Sequence, residues 1–288
     1  MNDIILLVAA TPPLFLVYQI YKIDAVEHEP VGLIIKLLVG GGAVTIAASL
    51  LEYFFSFLYA GDISALAAQL IHYFLVVAVI EECCKYVVLR LMTWNNPAFN
   101  YTFDGVVYAV SASLGFALVE NVMYTAALGI KTGLIRAFTA IVLHAVCGVF
   151  MGCYYGASKK CSVSGNANAA SMMNARSLIV PILIHGTYDF CASNSSTIYT
   201  AAFFIFLIFL YFIAYNRIKS LERNDTPIQG PGPGSFGGGS YGGGGYGGGY
   251  DSGNYNSGGY NDNGYNSGGY NDNGYNSNDY NSDDYRRY

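Results

Sequence analysis

Seven side chains of the sequence combine reactivity with a spacing that lets them meet: Glu81, Glu82 and Lys85, then Glu120, then His144, then His185 and Asp189. Residues three or four apart share one face of a helix, so Glu81 and Glu82 both reach Lys85 and Asp189 reaches His185. An ion pair with Lys85 keeps one glutamate charged, and its neighbour is suited to taking a proton from water. Asp189 is placed to hold the His185 imidazole in one tautomer, or to share a ligand with it. Phe116 and Glu120 repeat the four-residue spacing. His144 precedes Gly148, Gly152 and Gly156, a ladder of small residues against which another helix can pack closely. Four helices of this kind frame one polar cavity fit for acid–base work.

The elements that must position these groups are apolar. Of 288 residues, 53% are apolar and 11% charged, against about 25% charged in soluble domains. Runs long enough to cross a bilayer core, about 20 residues at about 1.5 Å each, recur along the chain. The expected spans are Ile4 to Tyr21, Val31 to Tyr59, Ile63 to Met92, Phe103 to Leu128, Leu134 to Gly156, Leu178 to Ala192 and Ile198 to Tyr215. The expected fold is therefore all-α, a polytopic transmembrane helical bundle of about seven spans. Pro12 and Pro13 should kink the first span, and the short sixth, containing Pro181, reads as shielded, broken or re-entrant.

Inside such spans charge is costly: four carboxylates and one ammonium would cost roughly 12 to 17 kcal/mol unless paired, protonated or wetted. That cost argues for one shared polar interior. His72, nine residues from Glu81, falls on the opposite side of an α-helix and reads as a structural histidine. Glu52 and Asp104 read as interfacial carboxylates, while Lys36, Arg90 and Arg136 read as snorkelling cations.

Lys and Arg are distributed unevenly between the two sets of loops and helix ends. Lys22, Lys36, Arg90, Lys159, Lys160, Arg176, Arg217, Lys219 and Arg223 fall in one set, and only Lys131 and Arg136 in the other. The amino terminus is expected outside and the carboxyl terminus in the cytoplasm. The chain is expected to divide into a membrane body, 1–224, and a low-complexity tail, 225–288. From residue 230 the tail has no Leu, Ile, Val or Met, and from Tyr250 to Tyr285 a Tyr falls at every fifth position. Such a Gly/Tyr/Asn-rich segment cannot bury enough surface to order itself and reads as disordered. The formal charge of −5 resides in this tail, so no basic excess favours a nucleic-acid partner. The six cysteines show no disulfide or zinc pattern, no HExxH motif is present, and no Ser-His pair stands at a serine-protease spacing.

Taken in order, Glu81-Glu82-x-x-Lys85, Phe103-Asp104-Gly105, Phe116-x-x-x-Glu120-Asn121, His144 and His185-Gly186-x-Tyr188-Asp189-Phe190 resemble the PrsW family of intramembrane proteases over about residues 63–192. The resemblance implies a glutamate-dependent membrane endopeptidase, distantly similar to CAAX prenyl proteases, that makes the first cut in single-pass membrane substrates such as anti-sigma factors. It implies that Glu81 or Glu82 activates water, that His185 and Glu120 position water or steady the oxyanion, and that Asp189 orients His185. Lys85, Phe116 and Asn121 would support them. The sequence has Phe116-x-x-x-Glu120 where CAAX proteases have a histidine, so the oxyanion role does not carry over directly. No cofactor is expected, and the bilayer and a single-pass protein are the expected partners. A metal-dependent protease built on the same residues, a proton- or cation-coupled transporter and a silent scaffold are the alternatives.

Overall fold

A computed structural model describes residues 2–24, 26–56, 65–194 and 196–228. The tail from 229 onward, and with it the expected disorder, lies outside the described residues, as do the junctions 57–64 between the second and third expected spans.

The all-α expectation holds. The helices are α1 (Asn2–Ile23), α2 (Val31–Ser56), α3 (Ala65–Leu70), α4 (Ala78–Thr93), α5 (Asp104–Leu128), α6 (Ile130–Phe138), α7 (Ala140–Val163), α8 (Ala167–Ala192) and α9 (Thr197–Arg223). Six stretches are long and apolar enough to cross a membrane: α1, α2, α5, α6 with α7, α8 and α9. A further helical path, α3 to α4, runs without a break through a π-helical stretch, Ile71–Val77.

Helix α5 lies at the centre, its residues from Asp104 to Ala117 buried in an unbroken run. Small residues let its neighbours touch its backbone. A Cβ added to Gly152 of α7 would lie 2.3 Å from the Gly105 carbonyl oxygen, and one on Gly156 would lie 2.2 Å from that of Thr102. On the other side Gly41 of α2 lies against the Ala112 carbonyl of α5, and Gly115 of α5 against the Leu38 carbonyl of α2. Without a water-driven force between helices in lipid, such close packing is what holds a bundle together. Large apolar side chains of α1, α2 and α9, such as Leu7, Val39 and Ile208, point outward, as lipid-facing surfaces require.

Two expectations about the spans are corrected. The sixth span is not a fifteen-residue fragment: α8 starts at Ala167, where Asn166 caps it by accepting a hydrogen bond from the Ala169 N–H, and it continues through Pro181. Helix α7 packs against it there, with Cys147 Sγ–H donating to the Pro181 carbonyl at 3.7 Å. Helix α1 is continuous from Asn2 to Ile23 with Pro12 and Pro13 inside it. The fifth span is interrupted at Thr139 (φ −122°, ψ −77°), which separates α6 from α7. All six cysteines are free.

The body also extends past the expected boundary at residue 224. Thr102 donates its N–H to the Thr226 carbonyl, Ile228 donates to Asn100, and Asp225 Oδ1 accepts from the Phe103 N–H at 2.8 Å. Ile228 is 5% exposed and joins the core around Tyr108 and Tyr155. Burying an isoleucine is worth about 1.5–3 kcal/mol, so this strap stabilises the bundle. A chain ended after Asn224 should melt in detergent at a lower temperature than one ended after Gln229. Equal melting would show that the strap contributes nothing.

Candidate active site

Lys85 is the hub. Its side chain is fully buried, and Nζ lies 3.0 Å from Glu81 Oε2, 2.8 Å from Glu82 Oε1 and 3.0 Å from His144 Nδ1. The spacing on α4 brings both carboxylates to the ammonium, and α7 adds the imidazole. An ammonium has three protons and no acceptor, so all three are committed. His144 Nδ1 must therefore accept, and its Nε2–H donates to Glu120 Oε2 at 2.8 Å. One lysine thereby fixes the tautomer of a histidine on another helix. The Phe116 ring stacks under Lys85 with its centroid 4.3 Å from Nζ.

His185, brought in by α8, closes the group. Its Nδ1 is 2.8 Å from Glu82 Oε1, and its Nε2 is 3.3 Å from Asp189 Oδ2 and 3.8 Å from Glu81 Oε2. Gly186 next to it lets Phe74 of the π-helical stretch approach, since a Cβ there would lie 2.5 Å from that ring. The His144 and His185 rings meet edge to face at 5.3 Å.

These residues line a cavity of about 480 Å³. The two glutamates differ in their relation to it. Glu81 lines the cavity with Glu120, His144, His185 and Asp189, whereas Glu82 is 0% exposed, lies behind the wall and keeps Oε2 without a hydrogen-bond partner. Asn121 lies away from the cavity: its side chain donates to the Ala9 carbonyl at 3.1 Å and ties α5 to α1.

Three lining residues were assigned bland roles from the sequence. Arg136 does not snorkel. The break at Thr139 turns α6 so that Arg136 Nη2 lies 2.8 Å from Glu120 Oε2, with the guanidinium stacked on Tyr124 at 4.1 Å. Its Nε and Nη2 form no well-directed hydrogen bond. Glu52 is not interfacial: it lines the cavity with Thr45 and Ser49, a polar stripe at four- and three-residue spacing on α2 that was visible in the sequence. His72 also lines the cavity. The π-helical stretch bonds i to i+5 and so takes more residues per turn, which rotates His72 relative to Glu81 and defeats the α-helical count.

By ligand type Glu81, Glu82, His144 and His185 suit a metal ion, with donor atoms within 4.8 Å of one another. As folded, the set does not fit one. The Lys85 ammonium is bonded to three of the four, and each ring nitrogen of both histidines already faces a partner. A metal would have to expel a buried cation to bind there.

A family model described as PrsW family intramembrane metalloprotease matches residues 29–215. Protease PrsW of Oceanobacillus iheyensis is 30% identical over 220 residues, which cover 76% of this chain and 97% of that protein. Protease PrsW of Bacillus subtilis is 28% identical over 72% of this chain and 91% of its own length. No solved structure matches the chain. With apolar helices fit to cross a bilayer, and with this match over most of the chain, the protein belongs to the PrsW family of intramembrane proteases and is a multi-span membrane peptidase.

Proposed function

We propose that the cavity hydrolyses a peptide bond of a single-pass membrane protein with a water molecule activated by Glu81. The observation that carries this reading is the asymmetry of the glutamate pair: one carboxylate opens onto the cavity and the other is sealed behind it, bonded to Lys85 and His185. Glu81 removes a proton from water, and the resulting hydroxide attacks the scissile carbonyl carbon. Glu82 holds Lys85 and His185 in place. Asp189 orients His185, whose Nε2 edge faces Glu81 and can pass a proton to the leaving amine.

The tetrahedral oxygen needs a donor. Arg136 is suited to that role, being cationic, lining the cavity and having Nε without a hydrogen-bond partner while Nη2 pairs with Glu120. Glu120 accepts from His144 and pairs with Arg136, so its part is to hold that donor rather than to donate. No step is routed through a metal, because the Lys85 ammonium is bonded to three of the four residues of the only imidazole-bearing donor set found among the described residues.

Anti-sigma factors are the substrate class that the family resemblance suggests. The basic residues at the ends of α1, α4, α7 and α9 support a cytoplasmic carboxyl terminus, which puts the cavity in the outer half of the bundle.

The test is cleavage of a single-span substrate by the reconstituted protein. Glu81→Gln and His185→Ala should each lower the rate by about 10²–10⁴-fold with insertion and folding retained. Wild-type rates in either variant would remove the site assignment. A transition-metal chelator of the phenanthroline type should leave cleavage unchanged. Loss restored by zinc would replace this mechanism with a metal-dependent one. Lys85→Met should destabilise the bundle by about 3–5 kcal/mol, because two buried carboxylates lose their cation, and Lys85→Met combined with Glu82→Gln should recover part of that loss in thermal unfolding.

A further inference from the structure

The far end of α5 carries a second group of acids that the proteolytic reading does not use. Asp24 and Glu29 come from the connection between α1 and α2, and Asp104 from the first turn of α5. All three are buried, and each brings a carboxylate oxygen within 4.8 Å of the others. Asp104 and Glu120 stand about 24 Å apart along the helix at about 1.5 Å per residue, so this group is separate from the cavity.

The acids are held in place without a paired cation among the described residues. Asp104 Oδ2 accepts from the N–H groups of Asn100 at 2.9 Å and Tyr101 at 2.7 Å, and Tyr108 donates its hydroxyl to Glu29. The ion pairs among the described residues all belong to the group from Glu81 to Asp189, so no lysine or arginine pairs with these carboxylates. Two buried oxygens accept nothing. One is Asp24 Oδ2, on a residue 2% exposed, and the other is Oδ1 of Asn100, whose own N–H holds Asp104. Burial, with Asp104 next in importance, pushes the Asp24 carboxyl up to about 7 and that of Glu29 up to about 9. Carboxyls confined together without a counter-charge hold their protons more tightly, and a bound cation would displace those protons.

We infer that Asp24, Glu29 and Asp104, with Asn100 Oδ1 as a neutral ligand, bind a hard divalent cation, Ca²⁺ in preference to Mg²⁺. The donors are all oxygens, with no imidazole or thiol to attract zinc or copper. Calcium accepts irregular oxygen sets drawn from a connection and a helix start, whereas magnesium demands near-ideal octahedral geometry and keeps several of its waters. The ion ties the α1–α2 connection to the start of α5. Through Asp225, which accepts from the Phe103 N–H beside Asp104, it also steadies the carboxyl-terminal strap. Its role is structural, and it takes no part in peptide hydrolysis.

The full-length protein, stripped with EGTA in detergent, tests this by thermal unfolding and calorimetry with Ca²⁺ and with Mg²⁺. Ca²⁺ should raise the melting temperature by several degrees, with a smaller shift for Mg²⁺. Asp24→Asn and Glu29→Gln should each lose most of the Ca²⁺ shift. Glu81→Gln should keep the whole shift. The inference fails if wild type shows no shift, if Asp24→Asn keeps it, or if Glu81→Gln abolishes it. Calorimetry on the wild type needs no variant to fold, and absence of a Ca²⁺-binding heat there overturns the inference equally.

Discussion

A lysine ammonium with no access to water needs every proton bonded, and in this bundle Lys85 meets that need only because three helices converge on it. Glu81 and Glu82 come with it on α4, His144 arrives on α7, and through Glu82 the hub reaches His185 on α8. Removing a charge from water costs several kcal/mol, so each partner is required by the others. The consequences run outward in a fixed order. Lys85 makes His144 Nδ1 an acceptor, that makes Nε2 a donor, and Glu120 receives it while also facing Arg136. A chain of hydrogen bonds and ion pairs thus runs from the centre of α4 to α6, with donation converging on Glu120 from His144 and from Arg136.

The scaffold makes that convergence possible by bringing backbones together. Glycines on α2, α5 and α7 let three helices approach to backbone contact, which brings side chains from α4, α5 and α7 within hydrogen-bonding reach. The π-helical stretch before α4 does the complementary work of rotation. It turns His72 toward the cavity and puts Phe74 against Gly186, so α8 can set His185 close to the glutamates. Departures from α geometry of this kind recur at functional sites because they re-aim side chains that a regular helix would send elsewhere.

The reactive set was legible in the sequence because charge in a lipid-spanning helix is conspicuous. Glu81, Glu82, Glu120, His144, His185 and Asp189 could be selected on cost alone, and all but Glu82 line the cavity. Arg136, Glu52 and His72 were not legible as cavity residues. Arg136 depends on the break at Thr139 and His72 on a change of helical period, neither marked by Pro or Gly at the critical residue. Glu52 was within reach, since Thr45, Ser49 and Glu52 form one polar stripe in an otherwise greasy helix. Asn121 shows the opposite failure: its place beside Glu120 suggested the site, but it faces the neighbouring helix and bonds Ala9.

Local chemistry therefore determined the class of molecule, an all-helical membrane body with acids and imidazoles too costly to leave apart, because hydropathy and the cost of charge are properties of each segment alone. Only the tertiary structure decided which glutamate meets the cavity, that an ammonium is bonded to three of the four residues that could hold a metal, that the chain past residue 224 packs back beside the start of α5, and that Asp24, Glu29 and Asp104 gather there. Those outcomes depend on how each helix is rotated about its axis and how closely its neighbours approach. Both are set by packing between segments distant in the chain, which no periodicity within one segment encodes.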